Sequence, residues 1–163
     1  MQDVSIEAQR GTLRLSTDRR RLDPSAVLAL LRTTYWGGSL TREALARAID
    51  NSICFAVLDG QTLVAFGRAV TDLATYAYWT DVVVAEAYRR QGIGRWLSET
   101  MLAHPQLQGL RRVSLLNARR DATPCPLGHN TPIPFERSPP VSFKRLLGSN
   151  AQAASFTALP PRA

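Results

Sequence analysis

The sequence contains little cysteine or histidine and no long apolar run. Its two cysteines, Cys54 and Cys125, are not spaced as a CxxC pair, so they predict neither a metal site nor a disulfide framework. Of its two histidines, His104 precedes a proline and is expected at a helix cap or on the surface, while His129 has no partner histidine for a metal. No stretch reaches the ~20 apolar residues that a membrane-spanning helix needs, and no signal peptide opens the chain. We therefore expect a cytoplasmic protein without a metal or a membrane anchor.

Positive charge exceeds negative charge along the chain. Twenty lysines and arginines against 13 acidic residues give a formal net charge of +7. Such an excess suits a nucleic acid, an anionic membrane or a polyanionic cofactor. The basic residues are scattered rather than aligned on one helix, and no nucleic-acid-binding motif is present, which disfavours the first partner. The length of 163 residues and a hydrophobic content of 45% fit one domain with a substantial core.

One stretch, residues 76–104, organises the rest of the chain. The aromatic and β-branched residues at 79–84 end in an apolar run, Val82 to Val84, which predicts a strand buried on both faces. A turn leads into a helix that ends before Pro105. The apolar face of this helix is formed by Ile93, Trp96, Leu97, Thr100 and Met101.

The turn between this strand and helix is suited to a phosphate group. Orphan amides at a helix start attract negative charge, and Gly92 and Gly94 leave those amides accessible. Arg89, Arg90 and Arg95 add positive charge. The turn lacks the Gly-Lys-Ser/Thr ending of a P-loop and the third small residue of a dinucleotide fingerprint. An ordinary basic turn between a strand and a helix is the alternative interpretation.

The remaining patterns predict a sheet flanked by helices. Residues 12–17 alternate as a strand does, whereas residues 1–11 carry little pattern and are expected to fray. Asp23 and Pro24 begin a first helix, a second begins near Ser39 or Thr41, and Asp59-Gly60 joins two strands. With a last strand at 112–117 the predicted order is β-α-α-β-β-β-α-β.

Together these features resemble the GCN5-related N-acetyltransferase (GNAT) family. The resemblance lies in Asp81-Val-Val-Val followed by Arg-Arg-x-Gly-x-Gly, and it extends over residues 13–122 to the family's small-acceptor branch through Tyr35-Trp36, Ser52-Ile-Cys54-Phe55 and Arg68-Ala-Val70-Thr-Asp72. It implies an α/β (α+β) protein with a mixed, mostly antiparallel sheet, a splayed centre and flanking helices, the acyl-CoA N-acyltransferase fold. The implied activity is acetyl transfer from acetyl-CoA to a primary amine of a small molecule, by a monomer or a homodimer.

The resemblance also implies a set of site residues. Asp81 and Asp72 are the candidate bases, although Asp81 has a structural carboxylate and Asp72 a turn residue as alternatives. A backbone amide of Val82 or Val83 would stabilise the developing charge on the thioester oxygen. Tyr35 and Trp36 would bind the amine, or else form a hydrophobic plug on the sheet. The residues expected to hold the cofactor are Val82, Val83, Val84, Arg89, Arg90, Gln91, Gly92, Ile93, Gly94 and Arg95.

The resemblance weakens after Ala122. The family continues with a helix that carries a tyrosine, whereas this chain has Pro124 and Pro126, which would break such a helix. We therefore expect an acetyltransferase domain over residues 1–147 that is irregular from residue 123, followed by a disordered tail over 148–163. The departure leaves a second hypothesis open, an acetyl-CoA-binding protein with weak or no catalytic activity.

Overall fold

A computed structural model describes residues 4–115 together with the backbone of residues 157–158. The described part of the chain contains seven strands and three α-helices. The strands are β1 (Ile6–Arg10), β2 (Leu13–Ser16), β3 (Ile53–Asp59), β4 (Thr62–Thr71), β5 (Tyr76–Val84), β6 (Arg112–Leu115) and β7 (Thr157–Ala158). The helices are α1 (Pro24–Leu31), α2 (Arg42–Asp50) and α3 (Ile93–Ala103), with short 3-10 helices at Arg19–Arg21, Glu86–Tyr88 and Pro105–Leu107.

The strands form one mixed sheet in the order β6-β5-β4-β3-β2-β1-β7. β5 and β6 run parallel, and the other neighbouring pairs run antiparallel. A mixed, mostly antiparallel sheet with flanking helices was predicted from the sequence and is confirmed.

Local sequence signals set the boundaries of several elements. The Asp23 carboxylate accepts a hydrogen bond from the Ser25 amide, and Pro24 opens α1, where its missing N–H costs nothing. The Thr41 hydroxyl accepts from the Ala44 amide and begins α2. The turn between β3 and β4 places Gly60 at φ 59°, a conformation that glycine adopts without strain. These starts of α1 and α2 and this hairpin confirm the predictions.

The helices pack on opposite faces of the sheet. Phe66 of β4 lies in a buried cluster with the apolar residues of α1 and α2. Gly67, the next residue, faces α3, since a Cβ there would lie 3.2 Å from the Met101 Sδ and 3.6 Å from the Leu97 Cδ2. Successive side chains of a strand point to opposite faces, so the sheet is covered on one side by α1 and α2 and on the other by α3.

One predicted segment was wrong. Residues 1–11 were expected to fray, but Ile6–Arg10 form β1, which pairs with β2 through a turn containing Gly11 at φ 60°. The Ile6 side chain is buried, and its amide donates to the Thr17 hydroxyl. These contacts order the segment, although so short a strand has too few residues to show a clear alternation.

The C-terminal predictions lie largely outside the described residues. These include the irregular segment at 123–130 and the domain boundary at 147. Within the segment expected to be a disordered tail, Thr157 and Ala158 instead form β7 and pair with Ile6 and Glu7. The rest of 148–163 falls outside the described residues.

Candidate active site

The turn that leads into α3 exposes backbone amides at a helix N-terminus. Gly92 is the N-cap of α3 and has φ 75° and ψ 9°, in the left-handed region. A left-handed residue next to a helical one turns successive N–H groups toward a common concavity, which favours an anion. No side chain caps these amides, and the first turn of α3 contains no acidic residue. We define residues 89–95 as the phosphate loop.

The side chains of the phosphate loop are mostly exposed, and several are held by hydrogen bonds. Arg89 donates through Nε to the Val84 carbonyl oxygen over 3.1 Å, and Gln91 donates to the Ala87 carbonyl oxygen over 3.1 Å. Arg95 forms an ion pair with Glu99 at 2.8 Å, and Arg90 has φ 62°. These contacts hold three side chains of the loop in place, and its arginines put positive charge around the exposed amides.

Two residues of the loop contribute backbone rather than side chain to its surface. Ile93 is 2% exposed and points into the core, so only its amide can face a ligand. Gly94 is half-buried, and a Cβ there would lie 3.5 Å from the Val84 Cγ2. The structure thus places residues 89–95 around one turn with the Val84 side chain against Gly94, while Val82 and Val83 lie further back along β5.

Sequence reasoning missed Arg10. This arginine at the end of β1 donates through Nη1 to the Gly92 carbonyl oxygen (3.3 Å) and through Nη2 to the Gln91 carbonyl oxygen (3.4 Å). It comes from the segment that was expected to fray. The available signal was the Gly11-Thr12 turn before the alternating residues of β2, which is compatible with a β-hairpin.

The pairing of β4 and β5 is interrupted next to Asp81. Gly67 alone faces two residues of β5, Asp81 and Val82, so β5 carries an extra residue at this point. Asp81 has φ 56°, a conformation that aspartate adopts more readily than most residues. The bulge separates residues 77–80 of β5 from its apolar end at residues 82–84, and a bulge bends its strand locally.

Asp81 forms an ion pair with a residue of the neighbouring strand. Arg68 donates through Nε to the Oδ2 of Asp81, and the Thr80 hydroxyl donates to Oδ1 over 3.2 Å. The side chains of Arg68 and Asp81 are only 17% and 13% exposed.

Cys54 lies on β3, where it is the partner of Arg68 in the sheet. The pKa of its thiol is raised to about 11, chiefly by burial. Cys54 is therefore a protonated core residue.

Asp72, the other candidate base, belongs to the turn between β4 and β5. Its carboxylate accepts hydrogen bonds from the Thr75 hydroxyl and from the amides of residues 74–76. These bonds, the one from Thr75 above all, hold the pKa of Asp72 well below its ordinary value. The turn lies at the end of β5 opposite the phosphate loop, roughly 25–30 Å away at the rise of a strand. The structure does not bring Asp72 and the loop together.

Tyr35 and Trp36 lie exposed in the loop between α1 and α2. They are 78% and 47% exposed, and their rings are edge-to-face with centroids 5.0 Å apart. Gly37 follows them where the chain returns to α1, and a Cβ there would lie 2.1 Å from the Leu31 carbonyl oxygen. The close approach fixes the loop, and the exposure of both rings does not fit the alternative of a hydrophobic plug.

Other polar residues have structural contacts. The Tyr88 hydroxyl donates to Asp59 over 3.0 Å, which raises the pKa of Tyr88. His104 is fully buried, and its Nδ1 accepts from the Gln106 amide at the cap of the last 3-10 helix. The predicted cap position of His104 is confirmed, while a surface position is wrong.

The described residues were also compared with the requirements of a metal site and of a membrane-spanning helix. Between residues 4 and 115, no group of three or more histidine, cysteine, aspartate or glutamate residues is arranged to hold a metal ion. His129 lies outside this range. None of the described helices is long and apolar enough to cross a membrane.

Comparison with known proteins gives consistent similarities. A model of the acetyltransferase (GNAT) family matches residues 25–124. A protein of Gibberella zeae described as a candidate acetyltransferase is 33% identical over 130 residues, which cover 66% of this chain and 72% of that protein. The crystal structure of a candidate GNAT-family acetyltransferase from Xanthomonas campestris is 32% identical, with a TM-score of 0.64 over 89% of this chain and 95% of that one. A structure from Deinococcus radiodurans, 20% identical, shares the fold with a TM-score of 0.57 over 94% and 99% of the two chains.

Proposed function

The chain belongs to the acetyltransferase (GNAT) family, and from this premise we propose that it transfers the acetyl group of acetyl-CoA to a primary amine of a small molecule. The observation that carries the proposal is the phosphate loop. Its amides are uncapped at the start of α3, and no acidic residue lies in the first helical turn. A polyanionic cofactor fits such a site because backbone N–H groups, the helix dipole and nearby arginines all favour negative charge.

The residues present are compatible with the diphosphate of acetyl-CoA. The amides at Gly92, Ile93 and Gly94 would donate to phosphate oxygens, and Arg89, Arg90 and Arg95 would supply positive charge around them. Gln91 helps to hold the loop through its bond to the Ala87 carbonyl. When bound, the cofactor supplies an acetyl thioester, whose carbonyl carbon is open to attack by an amine and whose sulfur is the leaving group.

The bulge in β5 is our candidate for the reaction centre. A backbone N–H at Val82 or Val83 would donate to the thioester oxygen as negative charge develops there. The register interruption supports this assignment, because residues 81–82 face a single glycine rather than a regular partner strand. Val84 would line the path between the bulge and the phosphate loop.

Asp81 is the better of the two candidate bases. It lies at the bulge, whereas Asp72 lies at the far end of β5 and its oxygens already accept several hydrogen bonds. A carboxylate has about four lone-pair positions, so Asp81 retains acceptor capacity beyond its bonds to Arg68 and Thr80. It would take the proton of the attacking amine directly or through a water molecule.

Tyr35 and Trp36 are the proposed acceptor-binding residues. Two exposed aromatic faces attract a cationic ammonium group at about 0.5–1 kcal/mol each, and more when the site is desolvated. Their position between α1 and α2, on a loop fixed by the close approach of Gly37, would present them to an acceptor before it loses its proton.

The alternative function, acetyl-CoA binding with weak or no activity, rests on Pro124 and Pro126. Isothermal titration with acetyl-CoA tests the shared premise, and a thiol-release assay across a panel of small amines separates the two. We expect saturable binding and turnover with at least one amine. Binding without turnover on any amine would favour the alternative, and no binding at millimolar acetyl-CoA would overturn both.

A further inference from the structure

Arg10 connects the first strand of the sheet to the phosphate loop. Its two terminal nitrogens donate to successive carbonyl oxygens, those of Gln91 and Gly92, at 3.4 and 3.3 Å. A Cβ placed on Gly92 would lie 3.4 Å from both nitrogens, so the guanidinium packs directly against the loop backbone. The fork of an arginine side chain suits two such neighbouring acceptors.

These contacts lie on the carbonyl side of the loop. A trans peptide unit is planar, and its N–H points away from its C=O. The Gln91 carbonyl shares a peptide unit with the Gly92 amide, and the Gly92 carbonyl shares one with the Ile93 amide. Fixing both carbonyls toward Arg10 therefore turns both amides away from it, toward the side where an anion would bind.

The same contact reinforces the first turn of α3. The Gly92 carbonyl accepts from Arg10 and also from the Trp96 amide at 3.0 Å. Gly92 is in a left-handed conformation, and a glycine has more backbone freedom than any other type of residue. Arg10 thus holds the most mobile type of residue in the loop. No carboxylate among residues 4–115 forms an ion pair with Arg10, so its charge also adds to the field of the loop.

We infer that Arg10 is a positioning residue of the phosphate loop, which holds the Gln91 and Gly92 carbonyls so that the amides of Gly92 and Ile93 face the diphosphate of acetyl-CoA. This inference rests on the proposed function. It assigns Arg10 an effect on cofactor affinity rather than on the acetyl-transfer step. It also gives β1 a role in the site.

The test measures acetyl-CoA affinity in the full chain by isothermal titration. Arg10→Met keeps most of the side-chain stem and removes the donors and the charge, and we expect the Kd to rise about tenfold, equivalent to ~1.4 kcal/mol. Arg10→Lys keeps the charge without the fork and should recover less than half of this effect on a logarithmic scale. Arg47→Ala, at an exposed position of α2, removes one charge elsewhere and should leave the Kd within twofold.

Two further measurements separate positioning from general destabilisation. The KM for acetyl-CoA should follow the Kd, while kcat at saturating cofactor changes less than twofold. In the cofactor-free protein, the Trp96 amide should exchange hydrogen at least fivefold faster in Arg10→Met, while the Ala85 amide, bonded to the Val64 carbonyl, stays unchanged. If Arg10→Met fails to fold, Arg10→Gln, which keeps one donor group, replaces it and should give an intermediate Kd.

The outcomes distinguish the inference from its premise. An Arg10→Met protein that binds acetyl-CoA as tightly as the wild type overturns the role of Arg10 and leaves the proposed function intact. The same holds if the Lys variant restores full affinity, because charge alone would then explain the effect. A wild-type protein that does not bind acetyl-CoA overturns both.

Discussion

Arg68 and Asp81 form an ion pair across two neighbouring strands, β4 and β5, at the point where their regular pairing is interrupted. Both side chains are largely buried, so each charge depends on the other for compensation. The pair also holds the left-handed backbone of Asp81 against β4. It therefore combines a structural contact with the position that we assign to the base.

Removing one partner of this pair should cost stability. Arg68→Met should lower the free energy of unfolding by about 3 kcal/mol, because a largely buried carboxylate is left unpaired. Asp81→Asn keeps a residue that tolerates the left-handed region and should lower kcat by about 100-fold or more if Asp81 is the base. Urea unfolding and steady-state kinetics measure the two effects.

The double variant Arg68→Met/Asp81→Asn is the control for this pair. It should recover at least about 1 kcal/mol relative to the sum of the single variants, since neither charge is then left alone. It should not recover kcat. Additive losses of stability would show that the two side chains do not interact, and normal kcat in Asp81→Asn would exclude Asp81 as the base.

Gly94 offers the cleaner test of the phosphate loop. Gly94→Val places a branched side chain at the uncapped amides, and acetyl-CoA binding should weaken by about 2 kcal/mol, or roughly 30-fold in Kd. Gly94 has no left-handed φ and room for a Cβ, so folding should be retained. Gly92→Val should weaken binding similarly but also destabilise the fold by about 1–2 kcal/mol, because Gly92 is left-handed.

Gly38→Val is the matched control for the glycine variants. Gly38 also lacks a left-handed φ, and a Cβ there would meet nothing within 4 Å. Its cofactor Kd should remain within twofold of the wild type. If titration gives the same Kd for Gly94→Val and Gly38→Val, the diphosphate binds elsewhere.

The sequence was most informative where a local pattern determines the backbone. β5 ends at Val84, where the predicted apolar run ends, and the residues predicted for the apolar face of α3, at positions 93, 96, 97, 100 and 101, are buried. Their apolar periods, the glycines and the capping residues act over a few positions and can be read without the fold. β1 could not be read in this way, because its order depends on pairing with β2 and on burial of Ile6.

In the candidate site, too, local features could be predicted from the sequence and contacts between distant residues could not. The phosphate loop is continuous in sequence, so its glycines and arginines were found together. The contact between Arg10 and Gly92 joins residues 82 positions apart, and the partner of Asp81 comes from another strand. Such contacts depend on strand register and a bulge, which composition and spacing do not encode.

Tyr35 and Trp36 should affect the acceptor rather than the cofactor. Trp36→Ala should raise the KM for the amine by about 2- to 30-fold, as expected for loss of a cation–π contact worth ~0.5–2 kcal/mol. Because both rings are exposed, stability should change by about 0.5 kcal/mol or less. Trp36→Phe keeps an aromatic face and should retain most of the affinity. An unchanged amine KM in the Tyr35→Ala/Trp36→Ala variant would place the acceptor elsewhere.

Asp72 should behave as a turn residue. Asp72→Ala removes the acceptor of several hydrogen bonds in the β4–β5 turn and should lower the Tm while kcat stays within twofold. Because the folded-state pKa of Asp72 is lowered, its stabilising contribution is present above the ordinary pKa near 3.8 and is lost as the pH falls through the lowered value. Thermal unfolding at neutral and acidic pH should therefore show a smaller acid effect in the variant. A large loss of kcat with a normal Tm would contradict this and support Asp72 as a catalytic residue.

His104 should make the fold sensitive to mild acid. Burial of the ring lowers the pKa of His104. The folded state thus favours the neutral ring, while the unfolded chain takes up a proton near pH 6.5. Stability contributed by the neutral ring is full above that value and falls as the pH drops from 6.5 toward the lowered folded-state pKa.

His104→Asn tests this effect, because it keeps an acceptor for the Gln106 amide without titrating, although it loses the edge-to-face contact with Phe55. We expect this variant to be less stable at pH 8 by about 1–3 kcal/mol but to lose less stability than the wild type between pH 7 and pH 5.5. Parallel pH profiles of the two proteins in urea unfolding would show that another group causes the acid sensitivity.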